Sequence, residues 1–170
     1  MRSLLIKAVI ILAACLLVAG AEESTHAFCF EEAAGEYGIS MDLLKSIASH
    51  ESGNKPDAIH YNENGSYDFG VMQINSNWYS TLGNDRWMAL GDACYNVKVG
   101  AWIFSQCVRR FGYSWEAVGC YNAGIAAKNK GKRTAYAWKI YHALEKARQK
   151  KETTKSNITV AMWNFPRRMQ

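Results

Sequence analysis

Four cysteines beyond the N-terminal apolar run, Cys29, Cys94, Cys107 and Cys120, constrain this chain more than any other feature. Two of them bracket the stretch Asp92 to Arg110, in which Val97, Ala101, Phe104 and Val108 recur at helical spacing. Val99, Trp102 and Ile103 make its other faces apolar as well, the pattern of a buried, central helix. Cys94 and Cys107 lie at opposite ends of it, roughly 20 Å apart at 1.5 Å per residue. A disulfide needs Cα atoms within about 7 Å, so these two cannot bond to each other. That removes one of three connectivities and leaves two; the preferred one is Cys29–Cys94 with Cys107–Cys120, each stapling a neighbouring helix to the central one, over Cys29–Cys107 with Cys94–Cys120. No CxxC pair is present and no histidine stands at metal-ligand spacing from the cysteines, which points to disulfides and not to a metal site.

Disulfides require an oxidising compartment, and the N-terminus supplies a route to one. Arg2 and Lys7 precede an apolar run from Ala8 to Val18, too short to span a bilayer, which takes about 20 residues. Residues 1–21 read as a signal peptide. Ala19-Gly20-Ala21 gives a cleavage site before Glu22, and Thr25-His26-Ala27 a second one before Phe28. Leu12-Ala13-Ala14-Cys15 resembles a lipobox, so lipoprotein processing is a rival fate, as is retention of the segment as a membrane anchor.

The net charge of +5 is unevenly placed. Phe28 to Glu145 holds 11 Lys+Arg and 12 Asp+Glu, whereas Lys146 to Gln170 holds 7 and 1. The near-neutral body argues against a nucleic-acid-binding protein. Residues 28–148 read as one catalytic domain and 149–170 as a basic, flexible tail without periodicity. The Trp163-Asn164-Phe165 cluster before Arg167 and Arg168 reads either as a docking segment or as an idle extension. Asn157-Ile158-Thr159 is a glycosylation sequon by pattern only.

The chemistry concentrates between Ser40 and Asn75. Ser40 suits an N-cap, and Leu44, Ile47, Ala48 and Glu51 follow one helical face, with Gly53 and Pro56 ending the helix. A carboxylate continuing an apolar stripe loses hydration, which raises its pKa toward the range a general acid needs. Spacing alone also fits an end-of-helix glutamate turned to water. Ala58 to Val71 reads as a hairpin turning at Asn64-Gly65, with Asp68 on the returning strand beside Asn62, Ser66 and Asn75, whose polar groups suit an ionised carboxylate. Asp68 by itself also fits a merely structural hairpin residue. Gly70 permits close backbone approach. Gln73 and Asn75 offer amides for sugar hydroxyls or N-acetyl groups, and Trp78 and Tyr79 are stacking surfaces or core. Ser114 caps a short helix, Tyr121 to Gly124 form a turn, Lys128 to Arg133 a solvated basic loop, and Thr134 to Lys150 the last helix, with Tyr136 and Ile140 on one face.

Taken together, MDLLKSIASHESGNKPDAIHYN, GSYDFGVMQIN and GYSWEAVGCYNAG, followed by AYAWKIY, resemble the small lytic transglycosylases associated with secretion systems and pili. The resemblance covers most of residues 29–145. It implies an α+β, predominantly α, lysozyme-like fold with a small β-hairpin lobe. The substrate it implies is the peptidoglycan glycan strand, cut in the periplasm by a monomer that needs no cofactor and no metal, with secretion-system or pilus components as partners. Carried over by position, Glu51 is the catalytic acid/base, and Gln73, Tyr121, Asn122 and Tyr136 line the glycan groove. The hairpin is also similar to that of animal c-type lysozymes, which carry a second catalytic carboxylate where Asp68 stands. Three readings follow: a lytic transglycosylase, a lysozyme-type muramidase using Asp68, and a non-catalytic wall-binding assembly protein.

Overall fold

The computed structural model describes residues 28–163, with side chains through residue 156. The leader, the lipobox-like stretch, the Asn157 sequon and the Trp163–Arg168 cluster lie outside the residues whose side chains are described. The architecture is helical with one small antiparallel sheet. Helices α1 (Phe30–Tyr37) and α2 (Met41–Ser52) precede strands β1 (Ile59–Tyr61), β2 (Tyr67–Phe69) and β3 (Ile74–Asn75), which pair in the order β1-β2-β3. Short helices α3 (Tyr79–Leu82) and α4 (Asn84–Met88) follow. The chain then runs through α5 (Ala93–Phe111), α6 (Trp115–Ala123) and α7 (Lys130–Trp163).

α5 is the hub. Val97, Val99, Ala101, Ile103 and Phe104 are all buried, so its apolar residues face neighbours on several sides. Asp92 caps it by accepting from the Tyr95 N–H at 2.7 Å. The disulfides Cys29–Cys94 and Cys107–Cys120 fasten α1 to its start and α6 to its end. They close loops of 65 and 13 residues, for which loop-closure entropy gives about 4 and about 3 kcal/mol.

Two close approaches dictate residue identity. Gly100 lets α5 pack onto the Met72 side chain, where an added Cβ would lie 2.7 Å from its carbons. Gly119 lets α6 lie against the backbone of α7, where a Cβ would meet the Arg133 carbonyl oxygen at 2.1 Å. Asn96, wholly buried on α5, ties the sheet lobe to the helices. Its Oδ1 accepts from the Met72 N–H at 2.8 Å, while its Nδ2 donates to the Phe69 and Leu90 carbonyls at 3.2 and 3.3 Å. Gly70, at φ +79°, clears the space this amide occupies.

Three local expectations change. The hairpin loop spans residues 62–66, with Gly65 alone taking positive φ, at 81°. Asn64 instead accepts from the Ser66 N–H and hydroxyl through Oδ1. The last helix begins at Lys130 and continues past Lys150 to Trp163, because no glycine or proline interrupts it after Gly131. Lys151 on that extension bonds Asp42 of α2 at 2.9 Å, so the stretch expected to be a flexible tail begins as helix. Finally, Arg133 does not belong to a solvated loop. It is 3% exposed, bonded to Glu116 and to the Gly124 and Ala126 carbonyls, with its guanidinium 4.9 Å from the Phe111 ring centre.

Candidate active site

The groove between the sheet lobe and the helices encloses about 1300 Å³ and is lined by Glu51 and Asp68, together with Gln73, Asn75, Tyr121 and Asn122. Glu51 enters it from the last turn of α2. That helix is capped by Ser40, whose Oγ accepts from the Leu43 N–H, and it buries Leu43, Leu44, Ile47 and Ala48. The Gly53 stop then leaves Glu51 at the rim of the apolar face. Burial pushes the Glu51 pKa up to about 7, and the nearby Asp68 charge adds to the rise. The Tyr136 hydroxyl, which donates to Glu51 Oε1, and the Lys139 ammonium oppose it. A carboxyl in this setting holds its proton close to neutrality and can still release it.

Asp68 lies in a contrasting environment. Its Oδ2 accepts from Asn62 Nδ2 at 2.9 Å and its Oδ1 from Asn75 Nδ2 at 2.7 Å. The antiparallel register sets Asp68 opposite Asn75, placing both side chains on one face of the sheet. Both amides also reach Ser66 Oγ, at 3.2 and 3.1 Å. Such a lattice of neutral donors fixes the orientation of the Asp68 carboxylate. One apolar and one polar carboxylate thus face a shared cleft.

The remaining expected site residues divide by what their polar atoms already hold. Asn122 is exposed in the last turn of α6, in helix and not in a turn, with Gly124 following. Tyr121 lines the groove, but its hydroxyl donates to the Met72 carbonyl at 2.7 Å, so the ring and not the hydroxyl is offered to a ligand. Gln73, in the left-handed region at φ 49°, spends its Nε2 on the Ala58 and Gly70 carbonyls. Asn75 spends its amide on Asp68 and caps the following turn through the Asn77 N–H. Gln73 and Asn75 thus line the groove with their Nε2 and Nδ2 groups already bonded within the protein.

Tyr136 corrects the expectation of a groove residue. It is 5% exposed, lies behind Glu51 and meets the His50 ring edge-on at 5.5 Å, because the α7 face that carries it also carries Ile140 into the core. Its hydroxyl is bonded to the Glu51 carboxyl. Since its hydroxyl lowers the Glu51 pKa, Tyr136→Phe moves the high-pH limb of a Glu51-dependent activity further up. It also lowers the maximal rate, by about tenfold. A pH–rate profile checks both.

Sequence reasoning passed over Gln106, Arg110 and Lys132, which also line the groove. The i, i+4 spacing of Gln106 and Arg110 on α5 was the available signal. Trp78 lines it too, braced edge-on against Trp102 at 5.3 Å.

Comparison with known proteins decides the family. The model of the "Transglycosylase SLT domain" matches residues 28–144. This chain belongs to the SLT transglycosylase domain family. Among its SLT-domain relatives, the invasion protein IagB of Salmonella typhimurium (strain SL1344) is 44% identical over 121 residues, covering 69% of this chain and 76% of that protein. Protein IpgF of Shigella flexneri is 40% identical over 119 residues, covering 68% and 78%. In structure, the SLT fold is shared with an inactive mutant of the lytic transglycosylase Slt from Pseudomonas aeruginosa. The TM-score is 0.58 at 18% identity, over 76% of this chain and 25% of that one.

Proposed function

We propose that this protein is an exported lytic transglycosylase that cuts the β-1,4 bond between N-acetylmuramic acid and N-acetylglucosamine in peptidoglycan. The observation that carries the proposal is the half-buried Glu51, its pKa pushed up to about 7 by burial, at the rim of a groove whose other wall presents Asp68. Glu51 donates its proton to the glycosidic oxygen as the C1–O bond breaks. Asp68, held in place by Asn62 and Asn75, stabilises the positive charge developing at the muramyl C1. The Glu51 carboxylate then takes the proton of the muramyl C6 hydroxyl while that oxygen bonds to C1. A 1,6-anhydro ring closes, no water is consumed, and Glu51 regains its proton.

Orientation decides between that hydroxyl and water. The braced Trp78 ring and the Tyr121 ring supply flat walls that hold the glycan. The family and the invasion-associated name of IagB support a periplasmic enzyme that opens the wall locally for a secretion system or pilus. Among the described residues no helix is long and apolar enough to cross a membrane.

A second reading is favoured by the care with which Asp68 is held: a muramidase in which Asp68 assists attack by water. Mass spectrometry of products from purified sacculi separates the two. Transglycosylation yields muropeptides one water lighter than their reducing counterparts, and reducing ends alone refute it. Asp68→Asn is expected to slow release about 10²-fold, by the loss of one electrostatic stabiliser, while leaving the anhydro product unchanged.

A further inference from the structure

Away from the groove, a cleft of about 420 Å³ lies between the first turn of α6 and the first three turns of α7. Its walls are aromatic. Trp115 and Trp138 are 44% and 57% exposed, an unusual condition for indole rings outside a binding site. Tyr141 stands perpendicular to both, at 5.4 and 5.5 Å, and His142 stacks on Trp138 at 5.7 Å, so the rings hold fixed orientations. The rim is polar and cationic. Lys130 is exposed with no ion-pair partner among the described residues, Thr134 lies one turn further on, and the exposed Lys128 precedes them. Glu116, the one acid lining the cleft, is neutralised by Arg133.

We propose that this cleft is a second glycan-binding site, taking a pyranose strand that bears carboxylate substituents. The identity of the ligand rests on the reading of the protein as a peptidoglycan-cutting enzyme. One face of a pyranose is a sheet of C–H bonds with slight positive charge, which packs on the negative face of an indole. The lysines meet carboxylates on the lactyl and peptide substituents by charge complementarity. The start of α7 stands between groove and cleft, with Lys132 on the groove side and Lys130 and Thr134 on the cleft side. Arg133 joins them, bonding Glu116 on one side and the carbonyl of Gly124, a groove residue, on the other. A polymeric substrate held at two points gains affinity by effective concentration without any new contact at the cut bond.

The test uses full-length protein carrying Glu51→Gln, so that sacculi stay intact during binding. Adding Trp115→Ala and Trp138→Ala is expected to weaken sedimentation with sacculi about tenfold, and Lys130→Gln to weaken it less, with a smaller salt dependence. Trp138→Ala alone removes one exposed wall without touching the core and is expected to act in the same direction. With Glu51 restored, the double tryptophan variant is expected to cut a short soluble glycan at the parental rate. Unchanged sacculus binding would overturn the proposal, as would equal losses on sacculi and the short glycan, or a site that captures only apolar peptides. Should the parental protein fail to cut sacculi that Glu51→Gln binds through its tryptophans, the cleavage reading fails and the second site stands.

Discussion

Glu51→Gln removes cleavage and, above pH 7, makes the protein more stable. The loss of the acid is expected to slow product release about 10³-fold. The gain follows from linkage. Burial raises the folded-state pKa of Glu51 from its ordinary 4.5 to about 7, so the folded state binds this proton more tightly than the unfolded chain does. Below about pH 4.5 the group is protonated in both states and contributes no difference. Stability is then lost as pH rises from 4.5 through 7, and well above 7 the full deficit is present, on the order of 3 kcal/mol. Glutamine cannot ionise and can still accept from Tyr136. Calorimetry is expected to show the variant and parent melting together near pH 4, and the variant melting several degrees higher at pH 8. An equal shift at both pH values would mean that the variant acts through packing and not through charge.

Asn96→Ala carries the largest expected cost to the fold. The change strands the Met72 N–H, takes one donor from the Phe69 and Leu90 carbonyls, and leaves a small void behind. At about 1–3 kcal/mol for each unpaired buried group, partly relieved by relaxation, a loss of about 3–5 kcal/mol is expected in denaturant unfolding. The effect reaches the groove, because the Met72 carbonyl is what the Tyr121 hydroxyl holds. A loss under about 1 kcal/mol would show that the sheet lobe is pinned elsewhere.

The legibility of this chain depended on how local each cause was. The α2 stripe ending in Glu51, the Ser40 cap and the Gly53 stop are set by neighbours within one helix, and their signals stand in the sequence. The disulfide framework was legible in part, because Cys94 and Cys107 share a helix too long to let them meet, which excludes one of three pairings; of the two left, the structure has the preferred one, Cys29 to Cys94 and Cys107 to Cys120. The lattice around Asp68 followed from hairpin alternation, which sends Asn75 to the same face.

What sequence patterns did not reveal were buried polar groups whose partners lie far along the chain. Asn96 serves carbonyls and an amide 6, 27 and 24 residues away. Arg133 looked like one cation in a basic run until Glu116, Phe111 and two carbonyls closed around it. Tyr136 was placed on the right helix but given a sugar contact, since nothing local says that its hydroxyl ends on Glu51, 85 residues earlier. The end of α7 was misjudged for a different reason. A polar, basic stretch carries no amphipathic signal, yet Lys151 finds Asp42 across the domain.

The central claim is that burial, and not catalytic analogy alone, prepares Glu51 to give up a proton near neutrality. Carbon-13 titration of the glutamate side-chain carboxyls tests it, with Glu51→Gln assigning the resonance. A midpoint near 7 for Glu51, rising in Tyr136→Phe, is the predicted result. A midpoint near the ordinary 4.5 in the intact protein would contradict the account.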